Sequence, residues 1–60
     1  MKIHKLAADC QGYTLSYDKS LRTYKAEKPG FNTLYWSKLE FDIMPVYTLV
    51  QILLRNDENV

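Results

Sequence analysis

"DIMPVYTLVQILLRND", residues 42–57, decides the reading of this chain. Wound onto a helix at 100° per residue, Val46, Leu49, Val50 and Leu53 fall on one stripe with spacing i, i+3, i+4, i+7. Ile43, Tyr47 and Leu54 widen the stripe on one flank and Ile52 widens it on the other. Only a narrow strip around Thr48, Gln51 and Arg55 stays polar. An apolar arc of about 200° exceeds the roughly 100° that a surface helix needs. Asp42 is the expected N-cap, which places Pro45 in the first turn, where no backbone N–H is required. Ser37 and Glu40 also match a capping box, but a helix begun there meets Pro45 in its interior, at a cost of about 3 kcal/mol. Leu39 and Phe41 are therefore expected to extend a strand or line its connection. "NDEN" is expected to end the helix in a frayed polar tail.

Upstream, Ile3, Leu6, Ala7 and Cys10 repeat the i, i+3, i+4, i+7 spacing, and Gly12 follows where a C′ glycine belongs. This predicts a short helix over residues 2–11 with the Ile3/Leu6/Ala7 face inward and His4 toward solvent. A strand over residues 2–7 fits less well, because alternation puts Lys5 beside Ile3. In "YTLSYD", Tyr13, Leu15 and Tyr17 alternate with polar residues, the signature of a half-buried strand. "DKS" supplies a turn, and "LRTYKAEK" returns with Tyr24 and Ala26 on one face. A helix capped by Asp18 or Ser20 is the competing reading of that segment, but its apolar content is thin. Pro29–Gly30 turn the chain into "FNTLYW", a third strand rich in β-favouring residues.

The expected architecture is α+β, one domain over residues 1–60 in the order αβββα: a three-stranded antiparallel sheet packed against one or two helices. Val46, Val50 and Leu53 are expected to cover Leu15, Tyr17, Tyr24 and Trp36, with Leu49 and Ile52, or Tyr47 and Leu54, at the margins. Either the first helix covers the surplus apolar flank of the last one, or a second chain does.

The bulk numbers exclude several classes. Sixty residues make one domain at most, and a chain this short has marginal stability. Cys10 is the only cysteine and His4 the only histidine, so neither an internal disulfide nor a Cys/His zinc cluster is available. Apolar content of 47% and charged content of 25% are those of a globular chain. A net charge of +1 gives no global field toward nucleic acid or lipid. No run of 18 apolar residues and no apolar segment after the basic start imply neither a membrane span nor a signal peptide, which points to the cytoplasm.

Residues with chemistry are sparse. Cys10 lies on the apolar face and reads as a small buried hydrophobe. The acids Asp9, Asp18, Glu27, Glu40, Asp42, Asp57 and Glu58 are scattered, and Gly12 and Gly30 build no phosphate loop. No catalytic set, metal site, cofactor or small-molecule substrate is expected. Residues 19–38 carry Lys19, Arg22, Lys25, Lys28 and Lys38 against Glu27 alone, locally +4 and interleaved with Tyr24, Phe31, Tyr35 and Trp36. Lys19, Arg22, Lys25 and Lys28 with Tyr35 and Trp36 could hold nucleic acid by phosphate contact and stacking. Period 2 splits them, with Lys19 and Lys25 on one face and Arg22 and Lys28 on the other; the bland alternative is solvated lysines guarding a sheet edge. Five tyrosines suit a half-wet interface.

The order helix, three strands, helix is similar to that of double-stranded RNA-binding domains and of HicA-type messenger-RNA-cleaving toxins. "LAADCQGY" resembles the toxins' first helix running through Gly into a strand, and "TLVQILLRN" resembles their last helix. Those toxins carry a Gly-Ser-His on the second strand; here "KSLRTYK" has no histidine. The resemblance thus implies a scaffold without its activity. The expected function is non-enzymatic: a small inhibitor- or adaptor-type module, of the kind carried by phage or plasmids. It would bind another protein or itself through Tyr47, Ile52, Leu54 and Tyr35, with nucleic-acid binding by the basic hairpin as the alternative.

Overall fold

The computed structural model describes residues 2–59. In chain order it contains α1 (Lys2–Cys10), β1 (Thr14–Asp18), β2 (Thr23–Glu27), β3 (Leu34–Ser37), α2 (Lys38–Asp42) and α3 (Val46–Glu58). The sheet is antiparallel in the order β1-β2-β3, so the expected α+β class holds.

Local signals explain the boundaries. Gly12, at φ 85°, closes α1: its N–H donates to the Asp9 carbonyl at 3.0 Å, and the Tyr13 N–H donates to the Ala8 carbonyl at 2.9 Å. These two bonds form a Schellman motif. The Asp18 carboxylate accepts from the N–H groups of Ser20 and Leu21 and from the Ser20 hydroxyl, which folds the β1–β2 turn. Leu21 and Arg22 thus belong to the turn, and β2 begins at Thr23.

The segment before Pro45 differs from the expectation. Ser37 and Glu40 do form the capping box, so Leu39 and Phe41 lie in a five-residue helix rather than in strand three. The chain then breaks at Ile43 and Met44, and Pro45, not Asp42, is the N-cap of α3. Two separate helices, one of five residues and one of 13, satisfy both signals, because the break removes the clash between a proline ring and the carbonyl four residues back.

The register pairs Leu15 with Ala26 and Ala26 with Leu34, and Tyr17 with Tyr24 and Tyr24 with Trp36. These six residues form the helix-facing side of the sheet. Tyr24 stacks on Phe41 of α2 at 4.4 Å between ring centroids, with Tyr17 at 4.6 Å from Tyr24 and Trp36 at 5.4 Å from Phe41. Ala8, Tyr13, Tyr24, Ala26, Phe41, Leu49 and Leu53 make the buried core, and Leu15, Leu34, Trp36 and Met44 pack against it.

Both long helices are rotated from the expected setting. On α1, Ala8 is fully buried and His4, Ala7 and Gln11 are half-buried, whereas Ile3, Leu6 and Cys10 are exposed. His4 faces inward: its Nε2–H donates to the Met44 carbonyl at 2.5 Å, its ring lies 5.2 Å from that of Phe41, and its Nδ1 is buried without a partner. Small alanines facing inward let α1 approach α3 and β1 closely, where leucine and isoleucine would hold it off. On α3, Leu49, Leu53 and Asn56 are buried, while Val46 and Val50 are half-buried and outside the core cluster. Leu49 is thus central rather than marginal. The tail is ordered helix through Glu58, not a frayed end.

Candidate protein-binding surface

The polar groups around the end of α3 converge on Tyr13. Its hydroxyl donates to Asp57 Oδ1 at 2.7 Å and accepts from Asn56 Nδ2 at 2.9 Å. Asn56 also donates to the Asn32 carbonyl at 2.9 Å, and Lys28 Nζ lies 3.2 Å from Asp57 Oδ2. The Lys28 ammonium stands 4.5 Å from the Phe31 ring centroid and 5.2 Å from that of Tyr13, within cation–π range. Burial first, then the bond to Asp57, raises the Tyr13 phenol above its ordinary value. The Tyr13 hydroxyl first, then Lys28, holds the Asp57 carboxyl below its ordinary value. This clasp ties α3 to the start of β1 and to the β2–β3 loop. The sequence carried one signal for it: Asn56 continues the Leu49/Leu53 stripe at i+7 and i+3.

The clasp removes Lys28 from the basic–aromatic set. Trp36 is also withdrawn, half-buried on the helix side against Phe41. Arg22 lines a depression with Leu21, Lys38 and Leu39, where Lys38 is paired with Asp42. Lys19, Lys25 and Tyr35 share a broad depression of about 570 Å³, whose lining also includes Asp18. Lys25 pairs with Glu27 at 3.5 Å. Three of the six residues therefore come together, and acids accompany them.

The apolar set also divides. Tyr35 is 64% exposed on the outer sheet face, opposite the helices. Ile52 is half-buried. Tyr47 and Leu54 are 72% and 40% exposed, and Ile3 and Leu6 of α1 are 58% and 60% exposed. These four belong to neighbouring helices. His4 meets Met44 at one end, and Tyr13 meets Asp57 at the other, so α1 and α3 run side by side in the same direction. At 100° per residue, Asp57, Val50 and Leu54 lie on one flank of α3 with Tyr47 beyond Leu54. Asp57 on that flank reaches Tyr13, three residues past the end of α1, so the flank lies toward α1. Ile3 and Leu6 on α1, and Tyr47 and Leu54 on that flank of α3, are thus exposed apolar residues of two neighbouring helices. The exposure of Ile3 and Leu6 is not legible in the sequence, because their spacing matches a core face.

Among the described residues, no group of three or more His, Cys, Asp or Glu side chains is placed to hold a metal ion. No described helix is long and apolar enough to cross a membrane. The chain matches no protein-family model, no curated protein and no solved structure at a significant level. The likeness in element order to HicA-type toxins and double-stranded RNA-binding domains therefore assigns no family.

Proposed function

We propose that this protein is a non-enzymatic binding module that docks on another protein chain through the outer side of the α1–α3 pair. The carrying observation is the exposure of Ile3, Leu6, Tyr47 and Leu54 on two adjacent helices. Fully burying a side chain of this size stabilises by about 1.5–3 kcal/mol, so a partner covering even part of each gains several kcal/mol. Exposed apolar side chains clustered on one surface are a usual mark of a docking site. A second copy of the chain is the simplest partner, and an inhibitor or adaptor role follows if the partner is a different protein. Sedimentation equilibrium on the wild type and on Leu6→Glu/Leu54→Glu tests this. Association lost in the variant, with thermal stability kept, supports the reading; association unchanged by two buried charges overturns it. For a wild type that stays monomeric, the same variant must lose whatever protein the wild type captures.

The outer sheet depression supports a second reading, in which Lys19, Lys25 and Tyr35 engage a nucleic-acid strand. It ranks lower because Asp18 lies in the depression and Glu27 occupies Lys25. Binding to single-stranded nucleic acid that weakens steeply with salt would raise it.

A further inference from the structure

The two edges of the sheet are not equivalent. β3 is four residues long and runs directly into α2 through the Ser37 capping box. β1 spans Thr14–Asp18 between two tight turns, and among the described residues its outer side pairs with no strand. Exposed edges are usually blocked by an internal lysine, a proline or a bulge. β1 contains no lysine or proline and pairs with β2 in unbroken register. Alternate residues along it therefore turn unpaired N–H and C=O groups outward.

Beside this edge lies an apolar pocket of about 230 Å³ between the start of α1 and β1. Leu15, Tyr17 and Tyr24 line it together with Ser16, and Lys2 and Lys5 stand at its helix side. Among the described residues Lys2 forms no ion pair. Lys5 has only Asp9, 3.3 Å away on the exposed helix surface, a pairing worth about 0–1 kcal/mol and readily exchanged.

We infer that β1 takes an acidic, extended segment of another protein as a fourth strand, with an apolar side chain in the Lys2/Lys5 pocket. In a strand laid along β1, every second side chain points to the helix side. One apolar residue there enters the pocket beside Leu15 and Tyr17. Carboxylates at the neighbouring inward positions meet Lys2 and Lys5. Main-chain pairing supplies affinity and the pocket with its two ammonium groups supplies selection, as in other strand-addition sites. A second copy of this chain is the poorer occupant. Its own β1 presents Leu15 and Tyr17 inward, not carboxylates, and the pair would bring four ammonium groups to one seam. This surface is separate from the helix-pair face, and its failure leaves that reading standing.

The test is amide NMR and hydrogen exchange on the full chain, titrated with a short capped peptide. Its inward positions carry glutamate, leucine and glutamate, with threonine between. A matched peptide with lysine for glutamate is the control. The expected result is perturbation and slowed exchange at Thr14–Asp18 with the acidic peptide only. Affinity should fall with salt and drop about tenfold in Lys2→Glu/Lys5→Glu, a loss of about 1.4 kcal/mol. The inference is overturned by equal binding of the lysine peptide, by unperturbed β1 amides, or by unchanged affinity in the double variant. Exchange at β1 slowing with protein concentration alone would show a second copy on the edge and overturn it as well.

Discussion

The end of α3 and the outer side of the α1–α3 pair solve opposite problems. At the end of α3, polar atoms are buried, and Tyr13, Asn56 and Asp57 satisfy one another and reach Lys28 and the Asn32 carbonyl. On the outer side, apolar atoms are exposed: Ile3, Leu6, Tyr47 and Leu54 keep 40–72% of their surface open. Burying a polar group is tolerated only when it is hydrogen-bonded, and the clasp meets that condition internally. Exposing a large apolar area is tolerated by a folded chain but leaves free energy for a partner to gain. The clasp is thus a device for folding, and the open face is the surface proposed for binding. Substitutions in the two regions should separate along that line.

The largest loss is expected from Asn56→Leu. It removes both donated bonds and leaves the Asn32 carbonyl and one Tyr13 lone pair without partners, at a cost of about 2–3 kcal/mol in denaturant unfolding. A neutral or stabilising result would mean that apolar packing does the clasp's work equally well. Gly12→Ala comes next, at about 1–2 kcal/mol. Its left-handed backbone, at φ 85°, disfavours any side chain, and the added Cβ stands 3.2 Å from Lys28 Cε. Tyr13→Phe should cost about 1 kcal/mol, since Asp57 keeps Lys28 and Asn56 keeps Asn32.

The clasp also predicts an acid limb. Asp57 and Asp18 are both held below the ordinary carboxylate value, Asp57 chiefly by Tyr13 and Asp18 chiefly by Ser20. The unfolded chain therefore takes up protons first, at about pH 3.9. Stability from these carboxylates is present above that value and is lost as pH falls through their lower native values. Asp57→Asn should make the acid limb shallower while leaving the Asp18 contribution. An unchanged limb would show that the clasp carries no charge-dependent stability.

The features legible in the sequence were those with local causes. Alternation in "YTLSYD" and "LRTYKAEK" marked β1 and β2, although Leu21, Arg22 and Lys28 lie outside the strand, and Gly12 marked the end of α1. The setting of α1 was not legible, because periodicity counts apolar residues and the fold counted size. Ala8 and His4 face inward because α1 must come close to α3 and Phe41. Ser37–Glu40 and Pro45 are incompatible within one helix, and the chain uses both by breaking at Ile43 and Met44, which no local pattern reports. Of the apolar site set, Tyr47 and Leu54 were recoverable as the surplus flank. Tyr35 was not separable from them without knowing on which side of the sheet the helices lie. Of the basic set, Lys28 was lost to a contact with Asp57 across 29 positions of sequence, which no local pattern reports.

The smallest expected effect on folding is at Tyr47, and it is the sharpest test of the contrast. Its side chain is 72% exposed, so Tyr47→Ser removes little that the folded chain buries. In dilute solution the unfolding free energy should change by no more than about 0.5 kcal/mol. If a second copy covers the face, the wild-type Tm should rise with protein concentration, because association stabilises the folded form by mass action. That dependence should weaken in Tyr47→Ser, although the variant matches the wild type at high dilution. If instead the variant loses 2 kcal/mol at high dilution, Tyr47 is part of the fold rather than of an interface. The distinction between a closed clasp and an open face would then fail at the residue where it is most exposed.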